Sequence, residues 1–382
     1  MRVAIAHSFY RLAGGEDRYV TAQAELLRSS GHSVAMVSRA NQDLRPTVAT
    51  ALRMAYSPRD VGEIRAQLLD ERPDIIHLHN PYPALGAAVH VAAARLAIPI
   101  VQTVHNFRLR CPNGLMFTEG RVCHRCEAGN YVNAVVHRCF QSRSQASAYA
   151  SALWLHRFVM RLDEKIRRFI APSAFIRDEL LRWGIDRRRA TIVRNFAPAI
   201  PLPASEGAYG VYVGRLSSEK GLAVLIDALA IAGDPPFILV GSGPMRGQID
   251  DRIRFHGLRR VELVGHVAHH DAVRFIRDAR FLVVPSVWDE NAPMAVVEAL
   301  AAGRPVVATR TGGLTELVEG NGSLCQPADP ASLAASMTDL FMDRGKAERL
   351  GRAARRFAEA NLSPEHHVAD LTRVYEEVLT AK

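Results

Sequence analysis

Twice along this chain, apolar runs of strand length alternate with helical patterns, and a proline-rich stretch without periodicity separates the two series. The first series places strands at Val3–Ala6, Ser33–Val37, Asp74–Leu78, Ile98–Val104, Phe169–Ala171 and Thr191–Val193. Its helices are expected at Glu16–Ser29, Val61–Asp70, Ala84–Leu96, Ser147–Arg167 and Phe175–Trp183. The second series places strands at Tyr209–Val213, Phe237–Val240, Val261–Val264, Phe281–Val284, Pro305–Ala308 and Ser323–Leu324, with a helix from Glu219 and others from Pro330 onward. Strands kept apart by helices cannot close as hairpins, so they pair in parallel βαβ units. Between the series, Phe196-Ala-Pro-Ala-Ile-Pro-Leu-Pro-Ala-Ser-Glu-Gly207 reads as a hinge. The expected architecture is α/β, with two doubly wound domains whose ligand crevice lies at the carboxyl ends of the strands, where the domains face each other. Residues 1–196 form the first domain, with an insertion at 106–142, and residues 197–207 form the hinge. Residues 208–362 form the second domain, and residues 363–382 a terminal helix packing back on the first.

Composition narrows the class. The 382 residues are 48% hydrophobic and 23% charged, as in folded soluble proteins, so disorder is not indicated. Met1-Arg-Val-Ala-Ile-Ala-His enters a strand pattern directly, without a signal-peptide profile, and no segment has the roughly 18 apolar residues of a membrane span. A cytoplasmic chain with at most peripheral contact to the inner membrane face is expected. The charge is lopsided. Residues 1–200 carry 28 Arg or Lys against 16 Asp or Glu, and residues 201–382 carry 20 against 23. A basic first half suits anionic lipid, a lipid-linked phosphate or nucleic acid, although 44 Arg beside 4 Lys also fits a codon-biased, solvated surface. Nucleic acid is set aside because aromatics are 7% of the chain and no binding motif appears.

The chemistry concentrates in the second half. Glu290-Asn291-Ala292-Pro293-Met294-Ala-Val-Val-Glu298 is expected to be helical from Ala292 to Ala302, with Pro293 in the first turn and free amides facing an incoming phosphate. Glu290 precedes that helix and Glu298 lies inside it. Eight residues of helix rise roughly 12 Å, too far for two carboxylates to share one glycosidic bond, where a retaining hydrolase needs about 5 Å. The spacing suits a ligand with hydroxyls at both ends and a diphosphate between them, which is a nucleotide sugar. Upstream, Arg215 and Lys220 flank the turn after Gly214, where two cations can meet a diphosphate; a solvated loop is the competing reading. Gly241-Ser-Gly-Pro244 is a common turn composition. In the first half, Gly14 and Gly15 open the first helix, where backbone can approach an anion or simply turn tightly. His105 follows a buried strand at the end that faces the crevice in such folds.

Taken together, Gly14-Gly15, Thr103-Val-His105-Asn106, Ala171-Pro-Ser-Ala, Gly214-Arg-Leu-x-x-x-Lys220-Gly, Gly241-Ser-Gly-Pro and the Glu-x7-Glu segment resemble the retaining glycosyltransferases of family 4, which have the GT-B fold. The resemblance implies transfer of a sugar from a UDP- or GDP-sugar with retention of configuration and no catalytic metal. It implies that Arg215 and Lys220 hold the diphosphate, that Glu290 orients the donor sugar and that Glu298 binds the ribose. His105 would face the sugar, and Gly15 would border the phosphates, with Gly14, Gly214, Gly241 and Asn291 to Met294 completing the donor site. Asn291-Ala292 stand where many relatives have Phe-Gly, which bears on donor selectivity.

Cys111, Cys123, Cys126 and Cys139 form C-x11-C-x2-C-x12-C within the insertion, with Cys325 far away. Structural zinc, free or redox-active thiols, and a disulfide pair all remain open. Beside the insertion, the stretch Ser147 to Arg168 mixes aromatic, aliphatic and basic positions, as a core helix or a membrane-surface helix would. The acceptor is therefore expected to be lipid-linked or a glycan, in cell-surface glycan assembly. A small soluble acceptor and a non-catalytic binding module are the alternatives.

Overall fold

The computed structural model describes residues 1–11, 14–41, 48–202 and 207–381. Leu12 and Ala13 of the first glycine turn, residues 203–206 of the expected hinge, and Lys382 lie outside the described residues. The chain divides into two compact units, one of residues 1–119, 123–193 and 368–382, the other of 194–367 with 120–122.

In the first unit the strands are β1 (Arg2–Phe9), β2 (Ser33–Ala40), β3 (Ile75–Leu78) and β4 (Ile100–Thr103). Next in sequence come a short hairpin, β5 (Phe117–Thr118) and β6 (Arg121–Val122), the latter grouped with the other unit, and then β7 (Ile166–Ala171) and β8 (Ala190–Ile192). Six of them form one sheet in the order β2-β1-β3-β4-β7-β8, parallel throughout. The order reverses direction at β1 and β3, as in a doubly wound fold. The strands are continuous apolar runs because helices cover both faces: β3 and β4 are buried at every position. The last helix, Pro364–Thr380, enters this unit from Val368, and its fully buried Tyr375 hydroxyl lies 2.6 Å from His77 Nδ1.

One expected helix is corrected. Ser147 to Arg167 does not run as a single helix. An α-helix spans Arg143–Trp154, a π turn follows at Leu155–Val159, a 3-10 turn at Leu162–Lys165, and β7 already begins at Ile166. Arg161 turns left-handed between the two turns, with φ +50°. The physical reason is that Ile166, Phe169 and Ile170 are needed in the sheet core, and tertiary burial overrides helical propensity.

The second unit carries β9 (Gly210–Val213), β10 (Phe237–Val240), β11 (Val261–Gly265), β12 (Phe281–Val284), β13 (Val306–Thr309) and β14 (Gly322–Cys325). They form a second parallel sheet in the order β11-β10-β9-β12-β13-β14, with the reversal between β9 and β12. Apolar side chains fill both faces: Val211, Leu282 and Val306 pack in one cluster, and Tyr212, Phe281 and Val283 in the other. Ala197 and Ile200 of the proline-rich stretch belong to the first of these clusters, and Ala197 N–H donates to Leu362 O at 3.1 Å.

Candidate active site

At the β9 end, Gly214 N–H still donates to Val240 O, and the chain then turns through Arg215 into a 3-10 turn, Ser218–Lys220. Gly214 is approached by its own chain: a Cβ added to Gly241, whose φ is +142°, would lie 1.8 Å from Gly214 O. These two motif glycines therefore let β9 and β10 end side by side.

Arg215 and Lys220 both emerge from this turn, each engaged with a carboxylate. Arg215 binds Glu219 through its guanidinium and donates from Nε to Ser217 Oγ at 3.2 Å. These two contacts use two of its five N–H groups, and its side chain is 58% exposed. Burial, the largest influence on Glu219, pushes its carboxyl up, but the Ser217 hydroxyl and the Arg215 charge outweigh it and hold the group below its ordinary value. Lys220 Nζ lies 2.7 Å from Glu290 Oε1, which also accepts from Ser286 Oγ at 2.5 Å. The ammonium sits 5.0 Å from the Trp288 ring centroid, a cation–π contact. Lys220 and Glu290, 70 residues apart in sequence, thus meet in one largely buried pair.

The segment carrying Glu290 is corrected relative to expectation. The helix spans Met294–Ala301, and Pro293 caps it from extended backbone, ψ 130°, instead of occupying its first turn. Residues 290–293 are not helical because Ala292 O accepts from Asn195 Nδ2 at 2.9 Å and Glu290 O accepts from Gly313 N–H at 2.7 Å, which fixes both outside a helical ladder. The helix-rise estimate therefore does not apply over those residues. Pro293 O accepts from both Val296 and Val297, which leaves the Met294 and Ala295 amides at the helix start. Inside the helix, buried Glu298 is 2.8 Å from Nε2 of the partly exposed His269.

The first unit has its own cluster. Asp17 is buried and closes the turn after β1: it accepts from Gly14 N–H at 3.2 Å and Tyr10 N–H at 3.3 Å, and lies 2.8 Å from His7 Nε2. Gly14 is the residue before the first helix, Gly15–Ser29, and Gly15 opens it. Glu16 Oε2 accepts from Tyr10 at 3.0 Å and Asn106 at 3.4 Å, while the buried Oε1 has no hydrogen-bond partner among the described residues. Burial raises the Glu16 carboxyl, with His7 the largest opposing influence. His105, two residues past β4, stacks on His79 at 5.1 Å with its Nε2 2.8 Å from His79 Nδ1, and meets Tyr19 edge-on at 5.2 Å. Burial, with His7 adding, pushes His105 down to about 3, so the imidazole is neutral.

The structure thus gathers Arg215, Lys220 and Glu290 within the second unit, and His105 with the Gly14-Gly15 turn within the first. Sequence reasoning gave no role to Glu219, Ser286, Trp288 and His269, nor to His7, Glu16, Asp17 and His79. Glu219 lay inside a quoted motif, and His79 sits at the end of β3 as His105 follows β4; these were the available signals. Among the described residues, no three His, Cys, Asp or Glu side chains already stand where they could hold a metal ion.

The family profile of Glycosyl transferases group 1 matches residues 194–357, and that of Glycosyltransferase Family 4 matches residues 13–198. The chain is a GT-B glycosyltransferase. The two matches together run from residue 13 to residue 357. The glycosyltransferase is 31% identical over 213 residues to an uncharacterized glycosyltransferase of Methanocaldococcus jannaschii, a match covering 55% of this chain and 60% of that protein. It is 27% identical over 392 residues to a glycogen synthase of Mycobacterium tuberculosis, covering 90% and 86%. In fold it is similar to Anabaena HepE solved with UDP and glucose, at TM-score 0.71 and 20% identity over 99% of this chain and 100% of that one.

Proposed function

We propose that this glycosyltransferase takes a sugar from a UDP- or GDP-sugar, retains its anomeric configuration, and delivers it to a lipid-linked or glycan acceptor at an anionic membrane surface. The observation that carries the donor reading is the Lys220–Glu290 pair at the start of the helix that holds Glu298. It brings a cation, a sugar-hydroxyl acceptor and free helix amides to one place, with a second carboxylate further along the helix. In this reading Lys220 and the unspent N–H groups of Arg215 bind the diphosphate, Met294 and Ala295 offer their amides to it, Glu290 orients the sugar and Glu298 takes the ribose hydroxyls. His105, neutral, can serve as a hydrogen-bonding group and not as a cation.

Breaking the anomeric bond leaves negative charge on the departing diphosphate. Fixed cations and amides at that oxygen lower the barrier without a divalent ion, because they are already oriented when the charge develops. Arg215 and Lys220 are each paired with a carboxylate, so the loop presents oriented N–H groups more than net positive charge.

The membrane part rests on the first unit's surface. Trp154 is 51% exposed and Phe158 45%, with ring centroids 6.0 Å apart. Val132, Val136 and Val159 are exposed as well, as are Arg138, Arg143 and Arg161, and Arg157 lies 5.0 Å from the Phe158 ring centroid. Aromatic and basic groups side by side suit the interface of an anionic bilayer. Among the described residues no helix is long and apolar enough to cross a membrane. The test is transfer from α-configured UDP- and GDP-sugars to extracted lipid-linked acceptors, with the new linkage read by anomeric NMR. An α-linked product supports the reading; a β-linked one rejects retention.

A further inference from the structure

We propose that Cys111, Cys123, Cys126 and Cys139 form a structural zinc site that pins the 106–142 insertion. Four separate turns deliver these thiols. Cys111 N–H donates to Phe107 O at 2.9 Å, Cys123 N–H to Met116 O at 2.7 Å, and Cys139 N–H to Ala134 O at 3.0 Å, while Cys126 O accepts from Gly129 N–H at 2.9 Å. All four line one cavity, together with His137. The cavity volume is about 10 Å³, at the lower limit of what holds one water. Four thiols lining one small cavity supply the donor types of a structural zinc site, and soft sulfur ligands select zinc over magnesium or calcium.

The segment has reason to need such a clip. Its regular structure is the β5–β6 hairpin and one helix of four residues, Asn133–Val136. Met116, Glu119 and Arg138 adopt left-handed backbone, an arrangement that costs on the order of 1 kcal/mol or more each and persists only when the surroundings impose it. The four cysteines are free thiols, so no disulfide supplies the constraint. Among the described residues the sulfurs do not stand as a finished ligand set, so metal entry requires the side chains to rearrange and the thiols to lose their protons. The clip would also brace a neighbouring surface, because Gly129 sits directly against the Phe158 ring.

The inference is independent of the transfer chemistry, and its test needs no activity. Full-length protein purified under reducing conditions without added metal should carry about one zinc per chain by elemental analysis. Exchange for Co(II) should give the absorption bands of four-coordinate thiolate. Cys123→Ser should at least halve the zinc content, whereas Cys325→Ser, at a buried thiol in the second unit's core, should leave it unchanged. If Cys123→Ser does not fold, the metal content and Co(II) spectrum of the unaltered protein decide. Reduced, folded protein with far less than one zinc and no Co(II) spectrum overturns the proposal, as does iron in place of zinc or a disulfide within the four found by non-reducing mass spectrometry.

Discussion

At the scale of single residues, Arg215 and Lys220 should matter for different amounts of two things. Charge-assisted hydrogen bonds are worth about 1.5–3 kcal/mol, and each 1.4 kcal/mol of lost transition-state stabilisation is about tenfold in rate. Arg215→Ala and Lys220→Ala should each lower turnover at least about tenfold with unchanged circular dichroism. Lys220→Ala should also lower the melting temperature more, since it strips a largely buried carboxylate of its cation while Arg215 is more exposed. Near-normal turnover in both variants would contradict the assignment. A second expectation concerns His105. In the unfolded chain an imidazole protonates near its ordinary value, about 6.5, whereas folding pushes His105 down to about 3. Between those values the unfolded state binds the extra proton, so this residue's contribution to stability falls as pH drops from about 6.5 toward 3. His105→Asn should flatten the decline in melting temperature between pH 7 and 5, and an unaltered slope would show that the imidazole already titrates normally. What the sequence could reveal at this scale was the motif residues themselves. Their partners were hidden because Trp288 and His269 reach Lys220 and Glu298 through tertiary contacts, and Ser286 reaches Glu290 within an irregular loop, none of which leaves a periodic trace.

At the scale of elements, legibility followed burial. The parallel strands were readable because they are unbroken apolar runs; Phe237–Val240 and Phe281–Val284 appear with the expected ends. The stretch from Ser147 to Arg167 was misread because nothing in it announces a break: it has no Gly or Pro, and the left-handed residue is Arg161. The helix start was placed two residues early, at Ala292 instead of Met294, because proline suits both the residue before a helix and its first turn. Two experiments belong here. Gly241→Ala should lower the second unit's melting temperature by several degrees, since the new methyl would strike Gly214 O and strained backbone costs on the order of 1–3 kcal/mol; an undiminished melting temperature would mean that β9 and β10 can move apart freely. Trp154→Glu should reduce flotation with anionic vesicles at low salt, and binding of the unaltered protein should fall as salt passes the screening range, where the Debye length drops below about 10 Å. Equal binding to neutral vesicles, or no effect of the substitution, would detach this surface from the membrane reading.

For the molecule as a whole, the two-series pattern and the motif set pointed to the fold and the family, because each half is a parallel sheet whose strand order reverses once and the motifs lie at or after the ends of its strands. The acceptor and the transferred sugar were not legible, since such selectivity depends on side chains from several elements, and Asn291-Ala292 depart from the commoner pattern beside Glu290. The central claim is that the second unit binds the nucleotide of a sugar donor through Glu298 and the Arg215–Lys220 turn. A ligand that binds only the folded state stabilises it by about 2.7 kcal/mol at a hundred times its dissociation constant, which for a unit of this size is a rise of several degrees. The direct measurement is thermal unfolding with free UDP and GDP, on the unaltered protein and on Glu298→Gln and Glu290→Gln. One nucleotide should raise the melting temperature of the unaltered protein, Glu298→Gln should abolish most of that rise, and Glu290→Gln should keep it, because the proposed reading assigns Glu290 to the sugar. Neither nucleotide raising the melting temperature, or both variants losing the rise equally, would contradict the account.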